Sequence, residues 1–156
     1  MLRMNVKKCH CGREKTYREC CGRVMKLGAN TPEELMRSRY SAFVEKKTEY
    51  LIKTHHPLTR HRKLAKELKQ NTKNLEWLSL HVIESRLEGD EGQVEFVAYA
   101  RQGARFVELH ERSVFLREKG VWYYVSGETL PFYPRGLNEP CWCGCDKTIG
   151  ECLVIS

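Results

Sequence analysis

Apolar and polar positions change their rhythm once along the chain, near residue 76. From there on they alternate. Leu78, Leu80 and Val82 interleave with Ser79, His81 and Ile83, and Val94, Phe96 and Ala98 with Glu95, Val97 and Tyr99. Val107, Leu109, Ser113 and Phe115 share one face of a long strand, and Val121 to Ser126 is rich in β-branched and aromatic residues. The breaks carry turn chemistry at Glu88 to Gly92, Gln102-Gly103 and Lys119-Gly120, so the pattern predicts about four antiparallel strands. Before residue 76 the period is helical. Thr31 suits an N-cap, Pro32 the first helical position and Glu34 a capping box. This predicts a helix from there to about Lys46, a second from Thr48 to His55 stopped by Pro57, and a third over Thr59 to Gln70. Residues 25–32 and 131–140 read as linkers. Helices followed by a meander of strands define an α+β class, with about three helices packed on one face of a curled sheet.

Two charged residues interrupt the apolar faces. At 100° per residue, Leu35, Met36, Ala42 and Phe43 form a stripe with Arg39 near its centre, while Arg37 points away. Glu111 shares the strand face of Val107, Leu109 and Phe115. Either Arg39 and Glu111 form a buried ion pair tying the first helix to the sheet, or they belong to a polar pocket with Tyr40 and His81, in which a buried carboxylate can serve as a general base. His55-His56 before Pro57 reads as a helix C-terminal cap. Trp77, Trp122, Tyr123 and Tyr124 read as core and sheet residues. No glycine-rich phosphate loop is present, which speaks against nucleotide binding.

The 156 residues suffice for one domain with a core, and 41% hydrophobic with 30% charged residues is a globular balance. No stretch has the length of a membrane span. The first residues lack the apolar run of a secretory signal, so a cytoplasmic, reducing location is expected. There the eight cysteines are informative, because they form two terminal groups: Cys9, Cys11, Cys20, Cys21 and Cys141, Cys143, Cys145, Cys152. Terminal thiol clusters in a reducing compartment point to metal. The groups are also copies of each other. Cysteine, glycine, lysine, threonine and glutamate recur in register at an offset of 132 residues, Cys9 on Cys141 through Cys20 on Cys152. In the first copy, Cys-x-Cys and Cys-Cys supply two ligand pairs for tetrahedral zinc. Gly12 permits the turn between them, and Lys15, Arg18 and Arg23 offset the net −2 of a four-thiolate zinc. In the second copy Leu153 stands where Cys21 stands in the first. Cys145 can replace the lost thiolate, water or the carboxylate of Ser156 can complete an open site of the catalytic kind, or the copy no longer binds metal; Cys145 is the favoured reading.

Charge is uneven. Residues 1–75 hold 19 Lys/Arg against 7 Asp/Glu, and residues 76–156 hold 8 against 13, within a formal net charge of +7. A basic front half suits an acidic partner such as an acidic protein or a ribosome surface, or is simply a solvated face.

The first cysteine group resembles the zinc-binding SEC-C motif, Cys-x-Cys-x8-Cys-Cys or Cys-His, named for the C-terminal tail of the SecA translocation ATPase. With Leu35 to Phe43, Tyr50 to Thr54, His56-Pro57, Glu76 to Leu78, Glu111 to Ser113, Phe115-Leu116 and Trp122 to Tyr124, nearly the whole chain resembles the YchJ family. The resemblance implies a SEC-C zinc motif over 1–24, a cone-shaped domain similar to nuclear transport factor 2 over 31–130, and a degenerate SEC-C motif over 138–156. It implies no assigned reaction. Because the SEC-C tail of SecA engages the chaperone SecB, it implies a protein- or ribosome-docking role, with a small enzyme using the pocket around Arg39 and Glu111 as the alternative. Oligomeric state, substrate and partner are not specified by the sequence.

Overall fold

The computed structural model describes residues 7–141 and 145–152. Helix α1 spans Cys21–Leu27, α2 Pro32–Val44, α3 Thr48–Lys53 and α4 Leu64–Lys73, with a 3-10 turn at Pro57–Thr59. Strands β1 (Glu76–Glu88), β2 (Glu91–Gln102), β3 (Arg105–Glu118) and β4 (Val121–Thr129) form one antiparallel meander in the order β1-β2-β3-β4. The α+β layout is the one predicted. Two boundaries differ. The first three residues of the segment read as a linker, 25–27, continue α1. The third predicted helix is split, because Pro57 opens a short 3-10 turn capped by His56 and the regular helix begins only at Leu64.

The start of α2 follows from its sequence. The Thr31 hydroxyl accepts from the Glu34 backbone N–H at 3.1 Å, and the Glu34 carboxylate accepts from the Asn30 N–H at 2.8 Å. The reciprocal box is thus closed one residue early, which satisfies two donors at the helix entrance. The buried face of α2 carries Leu35, Met36, Tyr40 and Ala42. Leu35, Met36 and Tyr40 pack with Leu80, Val94, Phe96, Ala98, Phe115 and Trp122 of the sheet. Helix α3 is tied to β4 by paired backbone bonds, Tyr124 N–H to Thr54 at 2.8 Å and His56 N–H to Tyr124 at 2.7 Å. His56 goes beyond a helix cap. It is buried, its Nε2 meets Glu118 Oε1 at 2.7 Å, and its Nδ1 accepts from the Leu58 N–H.

Register sorts the strands into two faces. Phe96 lies opposite Glu111, Ala98 opposite Leu109 and Ser113 opposite Gly127, all on the helix side. The intervening residues of β2 face away, yet Val97 and Tyr99 are 0% and 2% exposed. The stretch read as a linker supplies contacts that close this second face. His110 Nδ1 bonds Pro131 O at 2.6 Å, the Tyr133 N–H donates to Glu108 at 2.9 Å, and Arg135 contacts the Tyr99 hydroxyl. Arg135 and Glu108 pair at 3.5 Å with side chains 3% and 4% exposed. An apolar strand face flanked by Glu95, Glu108 and His110 needs such a cover.

The entrance of α2 is pressed against the sheet at Gly92. A Cβ at that position would overlap the ring of the buried Pro32. Gly92→Ala is therefore expected to destabilise the fold by about 1–3 kcal/mol, measured by urea denaturation. Unchanged stability would show that the Pro32 contact does not hold α2 in place.

Candidate metal centre

Between Lys8 and α1 the chain makes a small knuckle. Lys8 and Thr16 form an isolated antiparallel bridge, and the Cys9 N–H donates to Lys15 O at 2.7 Å. Gly12 turns the chain with φ of 90°, a region costly for a residue with a Cβ. Cys20 and Cys21 follow at the entrance of α1. The sulfurs of Cys9, Cys11, Cys20 and Cys21 all lie within 4.8 Å of one another, and all four residues are buried. The Cys11 and Cys20 sulfurs are 3.6 Å apart, far beyond the roughly 2.05 Å of a disulfide. Zinc with Zn–S bonds of about 2.3 Å places its four sulfurs about 3.8 Å apart. The donor set and its spacing thus fit a tetrahedral thiolate metal, and these four residues would hold it.

Electrostatics agree. The Cys11 thiol is lowered to about 4, first by a hydrogen bond from the Cys21 thiol and, against burial, by the Arg13 backbone N–H, the Cys20 thiol and the Arg37 charge. Burial, then the neighbouring Cys11 charge, raises Cys20 to about 11. Cys21 is raised too, chiefly by its hydrogen bond to Cys11 and by burial. A divalent cation would favour loss of the remaining protons.

The knuckle is joined to the domain through residues that the motif alone does not reveal. Arg37 donates to Cys11 O at 2.8 Å, and Ser41 Oγ lies 3.8 Å from Cys9 Sγ. They stand at i and i+4 on α2, which puts them on one helix face. Arg37, which points away from the apolar stripe, points at the knuckle. Arg13 pairs with Glu33 at 2.6 Å, His10 with Glu45 at 3.1 Å, and Lys47 donates to the Tyr17 hydroxyl at 2.7 Å. The four cysteines belong to the same packed cluster as Leu35, Tyr40 and Leu80. The N-terminal motif is therefore a part of the domain core.

The C-terminal copy repeats this backbone. Pro140 bridges Thr148, and the Cys141 N–H donates to Lys147 O at 2.8 Å. The Cys152 N–H donates to Thr148 O at 3.0 Å, as Cys20 does to Thr16 O at 3.0 Å. The sulfurs of Cys141, Cys145 and Cys152 lie within 4.8 Å of one another. Cys145 occupies the position of Arg13 in the first copy, beside the thiol loop, and so can reach the cluster. Cys143, Leu153 and Ser156 lie outside the described residues.

The polar residues expected in the middle divide. Arg39, Tyr40 and Glu111 line one cavity between the helices and the sheet. Arg39 and Glu111 do not form the expected ion pair. Arg39 Nη1 donates instead to Leu51 O at 2.8 Å and Thr54 Oγ1 at 2.6 Å, because the end of α3 offers acceptors within reach. Its guanidinium lies 4.5 Å from the ring centre of Tyr124, whose hydroxyl is 3.5 Å from Glu111 Oε1. His81 does not join them. It lies opposite Val97, on the other side of the sheet, where burial and then the charge of Arg135 push its imidazole down to about 4. Sequence reasoning missed His55 and Ser113 as cavity residues; Ser113 hides on the strand face as a small residue among large ones.

An α+β domain with cysteine knuckles repeated at both ends, the first with four converging thiols, defines a class of cysteine-knuckle protein. The family described as the YchJ middle domain, similar to nuclear transport factor 2, matches residues 31–127. A UPF0225 protein of Bordetella pertussis is 44% identical over 125 residues, covering 77% of this chain and 91% of the relative. The chain belongs to this YchJ, or UPF0225, family. The solution structure of a SEC-C motif containing protein from Rhodopseudomonas palustris superposes with a TM-score of 0.74 at 35% identity, covering 80% of this chain and all of that one. The crystal structure of another, from Psychrobacter arcticus, gives 0.62 at 28% identity, covering 94% and 95%. Among the described residues no helix is long and apolar enough to cross a membrane.

Native mass spectrometry of protein purified without chelator is expected to show two metal ions per chain, and one in Cys145→Ser. One ion in both would show that the C-terminal copy holds none. None in either would contradict metal binding altogether. Acidification is expected to release the N-terminal ion, because protons compete for Cys20 and Cys21, whose thiols are raised.

Proposed function

We propose that the chain is a zinc-binding docking protein that presents the basic surface beside its N-terminal knuckle to an acidic protein surface. The carrying observation is a groove of 230 Å³ bordering the thiol cluster, where Arg13, Lys15, Arg23 and Arg37 outnumber the carboxylates of Glu19 and Glu34 and Leu27 joins the wall. Arg13 and Arg37 are engaged by Glu33. Lys15, Arg18, Arg23 and Lys26 are exposed and make no ion pair among the described residues. Leu27 is 74% exposed in the middle of this charge. Unpaired cations around one apolar side chain suit an acidic segment with a hydrophobic anchor. Four thiolates around zinc supply the rigidity that a segment this short cannot draw from a core of its own. Docking by the SEC-C motif is in keeping with its resemblance to the tail of SecA.

The test is binding of the metal-loaded protein to a polyglutamate peptide and to purified bacterial ribosomes over a range of salt. Binding to polyglutamate that weakens with salt, and falls on the order of tenfold in a Lys15→Glu/Arg23→Glu variant, is expected. Preference for ribosomes would move the partner to that surface. Equal binding by variant and wild type would refute docking through this groove.

A further inference from the structure

We infer that the cavity between α2, α4 and the sheet is a binding site for an uncharged small molecule with a ring-sized apolar body and one head that both donates and accepts a hydrogen bond. This inference is independent of docking at the knuckle. The cavity holds 490 Å³, within the range of small-molecule sites. Its walls are apolar, formed by Phe43, Leu64, Leu68, Trp77, Phe96 and Leu109. Its polar end is built by Arg39, His55, Glu111, Ser113 and Tyr124.

Three observations show a built site there. First, the carboxylate of Glu111 has been given room. A Cβ at Gly127, on the neighbouring strand, would overlap it. Glu111 Oε1 accepts from Ser113 at 2.8 Å, whereas Oε2 makes no hydrogen bond among the described residues. Second, Arg39 is 5% exposed and spends only Nη1 on the protein, leaving Nε and Nη2 without a hydrogen bond among the described residues. Third, His55 is 8% exposed, with Nε2 bonded to Thr59 O at 3.2 Å and a buried Nδ1 that has no partner among the described residues. The Trp77 indole N–H in the wall is likewise buried without one. Unspent donors on Arg39 and an unspent acceptor on Glu111, at the polar end of one cavity, point to an occupant that engages them.

Charge decides the class. Arg39 and Glu111 both contact Tyr124, one over its ring and one at its hydroxyl. They offset each other without touching, and the other titratable pair lining the cavity, His61 and Glu67, meets at 3.3 Å with both side chains half exposed, so the polar end itself carries an arginine donor and a carboxylate acceptor that balance. An anion attracted by Arg39 meets Glu111, and a cation meets Arg39. A neutral hydroxyl satisfies both.

The probes are 2-naphthol, naphthalene and 2-naphthoate, each titrated into the metal-loaded full chain and followed by the NMR shift of the Trp77 indole N–H. The expected order in the wild type is 2-naphthol tightest, with naphthalene and 2-naphthoate each weaker by roughly tenfold. In Glu111→Gln, 2-naphthoate is expected to gain about tenfold, because Arg39 is then unopposed. No shift with any probe, or naphthalene and 2-naphthol binding alike, would overturn the site. Wild-type binding tightest for 2-naphthoate would overturn the assignment to neutral ligands. The wild-type comparison stands whether or not the variant folds.

Discussion

Convergence of four buried thiols against the face of α2 that carries Arg37 and Ser41 is the constraint on which the rest of the structure leans. Cysteines 9, 11, 20 and 21 share one packed cluster with Leu35, Met36 and Tyr40 of α2 and with Leu80, Phe96 and Phe115 of the sheet. Four sulfurs carrying like charge would repel each other in that setting, and burying their ionised forms unpaired is costly. A divalent cation held by the four sulfurs would remove both penalties and crosslink residues 9 to 21. Helix α2 in turn sets the apolar wall and Arg39 of the central cavity. The knuckle and the cavity thus lie against different faces of one packed helix.

Polar connections reinforce this arrangement instead of competing with it. Arg37 and Ser41 face the knuckle from α2, while Arg39, between them in sequence, faces α3 and the cavity. One helix therefore sends alternate polar residues to two sites. On the far side of the sheet, Glu108 and Arg135 anchor the segment that leads to the second knuckle. The N-terminal knuckle and the segment at Arg135 are both fastened to a single sheet, one through α2 and one through a buried ion pair.

Much of this was legible in the residues. Alternation at Val94, Phe96 and Ala98 marked a strand with one apolar face, although Val97 and Tyr99 on its other face are buried too, and the repeat of cysteine, lysine, threonine and glutamate at a fixed offset announced two like knuckles. The structure bears out that likeness down to matched bonds at Cys9 and Cys141. What could not be read was the choice among nearby partners. Arg39 and Glu111 were recognisable as intruders on apolar faces, but Leu51 O and Thr54 lie closer to Arg39 than Glu111 does, and only the tertiary placement of α3 shows it. His81 failed for a simpler reason: strand alternation puts it on the face opposite Glu111. The strap at Pro131 to Arg135 looked like a linker because its contacts are made by backbone and by single long side chains, without an apolar period.

Hydrogen exchange with and without a strong metal chelator tests most directly whether the knuckle is integral to the domain. If the four thiols crosslink the core as argued, chelation strips protection from residues 9–27 and also from α2 and the β1 amides that pack on it. Loss of protection confined to residues 9–27, with α2 unchanged, would contradict the account and make the knuckle an independent appendage.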